Sequence, residues 1–200
     1  MSQNLKQSFR FSIGIAVITF VLAALFSVIS SMLLQGVGWI FGVLIVLAIV
    51  LIGVVFDMFG IAATAADEVP FHSMASEKVY GAKQAIVIVR NRERFASFCN
   101  DVIGDIAGIV SGTASAAVVL QLVLGFGYTE DSTQQIIISI IFTSVVAALT
   151  VGGKAMGKFF GVHASTSIIL FAGRATAFLE KNLHIKVLPA LKKKKKRNTR

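Results

Sequence analysis

From Phe11 to Leu34 the chain runs without a single charged residue, and after the short break Gln35-Gly36-Val37-Gly38 it is apolar and uncharged again from Trp39 to Phe56. About 20 apolar residues carry an α-helix across the hydrocarbon core of a bilayer. Inside that core the backbone must satisfy its own hydrogen bonds, which leaves the helix as the form for such a run. A third segment, Val102 to Phe126, is apolar but punctuated by Gly, Ser and Thr, and a fourth runs from about Ile136 to Val151 after the polar loop Tyr128 to Gln134. The first run is too long for the apolar region of a signal peptide and lacks a small-x-small cleavage site, so it is expected to stay in the membrane. Charged residues make up only 14% of the chain and hydrophobic ones 56%, where soluble domains carry about 25% charge. The expected fold is an all-α integral membrane protein with four transmembrane helices and two juxtamembrane helices. A soluble enzyme is excluded.

Basic residues in short loops stay on the cytoplasmic side. Lys6 and Arg10 precede span one, and Lys78, Lys83, Arg90, Arg92 and Arg94 lie between spans two and three. The other twelve of the 19 Lys and Arg follow span four, while the loops joining spans one to two and three to four contain none. The sequence therefore predicts a multi-pass protein of the plasma membrane with both termini cytoplasmic. Two segments are expected to be helical without crossing: Ser76 to Arg90, with an apolar side suited to the membrane surface, and Ser167 to Glu180, capped by Ser165 or Thr166 and lying either on the surface or buried in the bundle.

No catalytic constellation is present, and no enzyme activity is expected. Cys99 is alone, His72, His163 and His184 are far apart, and no phosphate loop, nucleophile elbow or dinucleotide fingerprint occurs. The polar residues of span three carry the remaining information. Asp101, Gly104, Asp105, Gly108, Ser111, Gly112 and Ser115 recur at three and four, which places them on one helical face. Gly104, Gly108 and Gly112 form a double GxxxG suited to close helix packing, and Gly153, Gly157 and Gly161 repeat that spacing after span four, with Lys154 and Lys158 between them. At the cytoplasmic end, Asn100, Asp101 and Asp105 supply hard oxygen ligands of the kind Mg²⁺ and Ca²⁺ take, and Asp57 at the end of span two belongs to the same layer. The alternative for these carboxylates is pairing with Arg90, Arg92, Arg94, Lys154 or Lys158. The run Lys192, Lys193, Lys194, Lys195 and Lys196 is either a solvated topology anchor or a binding site for anionic lipid, at about 1 kcal/mol per basic residue near the surface. No aromatic residues interleave with it, so nucleic-acid binding is not expected.

Several stretches resemble the transmembrane domain of the CNNM/CorC family of magnesium and cobalt transporters. Phe59-Gly60-Ile61-Ala62-Ala63-Thr64-Ala65 and Tyr80-Gly81-Ala82-Lys83-Gln84-Ala85 are similar to two family patterns, the first at the end of span two and the second following it. Arg94-Phe95-Ala96-Ser97 with Asn100-Asp101-Val102-Ile103-Gly104 is similar to the start of the next core helix, and Gly153-Lys154-Ala155-Met156-Gly157-Lys158 occupies the place of a glycine-glutamate motif before the juxtamembrane helix. The resemblance covers about residues 39 to 185 and divides the chain into an amino-terminal segment with an additional span (1–38), a transporter-like transmembrane domain (39–188) and a polybasic tail (189–200). It implies transport of a divalent cation, Mg²⁺ as the transported ion with no organic cofactor, and a homodimer or a membrane-protein partner in the lipid bilayer. Ala62 and Ala63 stand where the family places Ser and Glu, and Lys154 where it places Glu. Within this sequence nothing corresponds to the family's CBS pair. Two functions follow as expectations: divalent cation transport through a site redrawn around Asn100, Asp101, Asp105 and Asp57, or a transport-inactive membrane subunit that assembles with a partner.

Overall fold

A computed structural model describes the backbone of residues 2–127 and 133–183 and the side chains of 12–127 and 133–182. The secondary-structure elements among the described residues are all helices, with no strand. Helix α1 spans Ser2–Leu34, α2 Trp39–Ala65, α3 Val69–Ser76, α4 Ala82–Arg90, α5 Arg92–Ser97, α6 Asp105–Gly125, α7 Thr133–His163 and α8 Ser165–Leu183. A π-helical stretch, Phe98–Gly104, joins α5 to α6, so Arg92–Gly125 forms one rod. Four helical stretches are long and apolar enough to cross a membrane: Ser12–Leu34, Trp39–Ala65, Arg92–Gly125 and Thr133–His163. Expected spans two to four are thus present but longer than the uncharged runs. The lysine tail 192–196 lies outside the described residues.

Helix α2 is the central element. Val46, Val50, Gly53, Asp57 and Gly60 are all buried, at the alternating four and three spacing that keeps one helical side inward. This side meets α6 closely. A methyl group at Gly42 would lie 2.7 Å from Val118, and one at Gly53 would lie 2.9 Å from Ala107. On another side of α2 lies the glycine ladder of α7, where Gly153 and Gly157 sit against Val54 and Gly161 against the Met58 carbonyl and Ile61. Small residues let the two backbones approach where lipid offers no hydrophobic drive, so the helix-packing role expected for Gly153, Gly157 and Gly161 is realised.

The corresponding expectation for span three holds at one glycine only. Gly104 is in contact with Asp57, but a methyl group on Gly108 or Gly112 would meet nothing within 4 Å. These two glycines instead line an open groove of about 270 Å³ between α6 and α7, together with Ser111, Ser115, Thr143 and Thr150. Its hydroxyls are turned back onto their own helices: Ser111 Oγ donates to the Gly108 carbonyl and Ser115 Oγ to that of Ser111.

The helix expected over Ser76 to Arg90 is broken. Helix α3 ends at Ser76, and Gly81, at φ +87°, turns the chain into α4, a left-handed conformation that only glycine adopts without strain. Nor does α4 simply rest on a membrane surface. Ala82, Ala85, Ile86, Ile88 and Val89 are buried, in a core with Phe71 of α3, Ala62 and Ala63 of α2 and Ile169 and Ala172 of α8. The second juxtamembrane helix, α8, buries Ile169, Ala172 and Ala177 while Phe171 and Phe178 are exposed, so one of its faces packs on the bundle and the other lies open. No capping hydroxyl starts it: Ala164 continues the hydrogen bonding from α7, its N–H donating to the Phe160 carbonyl and its own carbonyl accepting from Ile168.

Glu68 ties this layer together, accepting hydrogen bonds from Arg90 and from His72 at 2.7 Å. Burial pushes its carboxyl upward, but the hydrogen bonds and charges of His72 and Arg90 outweigh that effect and hold it below its ordinary value of 4.5. A carboxylate with a lowered folded pKa contributes stability that is complete above the ordinary value and is lost as pH falls through the folded one. Amide exchange in α3 is therefore expected to accelerate as pH drops below about 4.5 once intrinsic rates are corrected, and Glu68→Gln to remove the pH dependence. With both basic partners exposed, the effect stays below about 1 kcal/mol.

Candidate functional site

Where α2, the π-helical stretch and α7 meet, the bundle buries charge. Asp57 is 5% exposed, held on the inward side of α2 by the same spacing that buries Gly53 and Gly60. Its carboxylate lies against Gly104, where any side chain would displace it. Lys154, on α7 one residue after Gly153, reaches into this layer: its Nζ lies 3.1 Å from Asp57 Oδ2 and donates to the Gly104 carbonyl at 3.4 Å. The Lys154 side chain is 23% exposed and that of Asp57 6%. Such a pair offsets the desolvation of two charges by mutual attraction, and removal of either partner strands the other in a medium where an isolated charge is expensive.

Asn100 completes the layer from the π-helical stretch. Its amide packs on Gly60, and Oδ1 is buried without a hydrogen-bond partner. A π-helical turn shifts the register of the side chains that follow it, and such turns concentrate at functional positions. Here the stretch brings Asn100 and Gly104 inward toward α2.

Of the four residues expected to gather as oxygen ligands, Asp57 and Asn100 share this layer while Asp101 and Asp105 do not. Both of the latter are exposed. Asp101 Oδ2 accepts a hydrogen bond from Ser97 Oγ at 2.7 Å one turn earlier. The physical reason is angular: Asn100 and Gly104 occupy the inward side, which turns their immediate successors outward. Among the described residues, no three His, Cys, Asp or Glu side chains lie close enough together to hold a metal ion. The expected convergence of three carboxylates is not observed, and of the basic partners considered for Asp57 it is Lys154 that pairs. Arg90 instead binds Glu68.

Gly60 and the carbonyl of Gly104 belong to this layer and were not marked by the sequence pattern. Gly60 carried a usable signal, since it continues the spacing of Val50, Gly53 and Asp57. The role of the Gly104 carbonyl carried none, because backbone acceptors leave no trace in side-chain identity. No family model, no curated protein and no solved structure matches the chain.

Proposed function

We propose that this chain is a multi-pass membrane protein on the plan of the magnesium and cobalt transporter transmembrane domain, in which a tethered ammonium group takes the cation's place. It acts by assembling with a second copy of itself or with another membrane protein. The Asp57–Lys154 pair carries this reading: the buried carboxylate that a divalent ion would need already has its charge matched, and Lys154 would repel a second cation by Coulomb's law. The open glycine surface of α6 supports assembly, because Gly108 and Gly112 offer a close-approach surface that none of the described residues occupies. The distribution of Lys and Arg supports a plasma-membrane orientation with both termini in the cytoplasm.

One observation favours a second reading, divalent cation transport with Mg²⁺ as the ion. The unpartnered Asn100 Oδ1, the Asp57 carboxylate and the Gly104 carbonyl are the hard oxygen donors Mg²⁺ takes, and movement of Lys154 would free the last two. Flux measured with a Mg²⁺-sensitive dye in proteoliposomes separates the two. The assembly reading expects no influx above protein-free vesicles for the wild type, together with self-association or a stoichiometric partner that is lost in the Gly108→Leu, Gly112→Leu double variant. Influx by the wild type that Asp57→Asn abolishes would overturn it in favour of transport.

A further inference from the structure

Hydroxyl side chains inside an apolar helix usually donate to the carbonyl one turn earlier, as Thr143 and Thr150 do here. Ser30 does not. It is 5% exposed, and its Oγ is buried with no hydrogen-bond partner. Across from it, Gln121 of α6 donates through Nε2 to the Leu34 carbonyl at 3.0 Å, yet its Oε1 is also buried and unpartnered. An unmade hydrogen bond at a buried polar atom carries a desolvation penalty. Two such atoms lining one space point to something that fills it.

Ser30 also borders a second groove, and the two grooves form the two arms of a crevice. One, of about 240 Å³ between α1 and α6, is lined by Ser30, Gln35, Thr113 and Gln121. The other, of about 310 Å³ between α1, α2 and α6, has walls that are almost wholly apolar, including Phe26, Ile29, Ile45 and Ile49. An apolar cavity about half the size of the second arm stays dry and takes up hydrocarbon. Neither arm is lined by Lys, Arg, Asp or Glu, so a charged group there would be buried without a partner. The polar arm lies near the end of α1 at Leu34, remote from the charged layer of Asp57 and Lys154.

We propose that this crevice binds a neutral glycerolipid, with an acyl chain in the apolar arm and the glycerol end at Ser30 and Gln121. The chemistry selects it. Gln121 Oε1 can only accept and calls for a donor, which a hydroxyl supplies without charge, whereas Ser30 Oγ–H can donate to an ester carbonyl. A free hydroxyl a few atoms from an ester, on a hydrocarbon body, meets both demands without bringing a charge. A choline headgroup has no donor and brings two charges.

The full chain in nanodiscs, with a diacylglycerol carrying a photoactivatable group in its acyl chain, gives the test, and phosphatidylcholine with the same labelled chain serves as control. Adducts are expected on the α1 and α2 walls of the apolar arm with the diacylglycerol. Labelling by phosphatidylcholine there, and by diacylglycerol after Gln121→Leu or Ser30→Ala, is expected to be lower by about three- to tenfold, the equivalent of one hydrogen bond. Ala48→Phe projects a ring into the arm from an exposed position on α2 and is expected to abolish wall labelling. Ser30→Ala leaves helix packing intact, so its thermal unfolding separates loss of a ligand contact from loss of fold. Equal labelling by the two lipids, labelling indifferent to Ala48→Phe, or absence of wall adducts because water fills both arms would each overturn the proposal.

Discussion

Lys154→Met is expected to destabilise the protein by about 3–5 kcal/mol, the range for breaking a buried ion pair from one side. The substitution keeps the length of the side chain and its apolar contacts but leaves the Asp57 carboxylate, 5% exposed, against Gly104 and an apolar helix surface with its countercharge gone. Asp57→Asn alone is expected to cost a comparable amount by stranding the ammonium, although Lys154, at 23% exposure, retains some access to water and so loses less. The Asp57→Asn, Lys154→Met double variant removes both charges and is expected to recover most of the loss, since replacing a whole buried pair is often neutral or stabilising. Thermal unfolding of the four proteins in one detergent forms a double-mutant cycle. Additive losses would mean that the two groups do not act as a pair.

The second large effect is expected at Gly173. A methyl group there would run into the Gly81 carbonyl, and would lie 2.9 Å from the backbone nitrogen of Ala85. These are backbone atoms and cannot rotate away as a side chain does. Gly81 cannot yield either, because its left-handed φ of +87° sets the direction of α4 and its own Cα faces the Arg174 backbone. Gly173→Ala should therefore lift α8 off α4 and open the core around Ile88 and Ile169, at a cost of about 1–3 kcal/mol, as for overpacked interiors. Gly112→Ala on α6 meets open space and should leave monomer stability within about 0.5 kcal/mol of the wild type. Unfolding that starts in α8 in the first variant only, followed by amide exchange, is the expected pattern. Equal losses at the two glycines would contradict the packing described for them.

Much of this architecture is legible in the residues. The uncharged runs mark the spans, and the glycine repeat before His163 marks a helix contact that is realised against α2. What escaped follows from identifiable physics. Asp57 reads as the end of a span because a lone carboxylate is costly in hydrocarbon, but α2 continues to Ala65 with Asp57 paired to Lys154, nearly a hundred residues away in sequence. Lys154 in turn reads as one of five basic residues able to pair with these carboxylates, because nothing local singles it out. Only one edge of the face drawn through span three is buried: Gly104, Ser111 and Ser115 are inside, while Asp101, Asp105 and Gly112, within about 40° of one another on a helix of constant period, are exposed. A pattern of polar and small residues does not show which edge of such a wide face meets a neighbouring helix. The juxtamembrane core depends on Gly81 turning α3 into α4, and a continuous amphipathic reading of Ser76 to Arg90 passes over that corner.

The corner between α7 and α8 has a mechanical consequence. One residue, Ala164, separates the two helices, and hydrogen bonds run through it on both sides, so the joint has no slack to absorb rotation. With Gly153, Gly157 and Gly161 seated on α2 and Gly173 seated on α4, each of the two helices is held by a different neighbour. A change in the tilt of α7 is therefore expected to load the seat of α8 on α4, and amide exchange in α8 measured in bilayers of different thickness would show it.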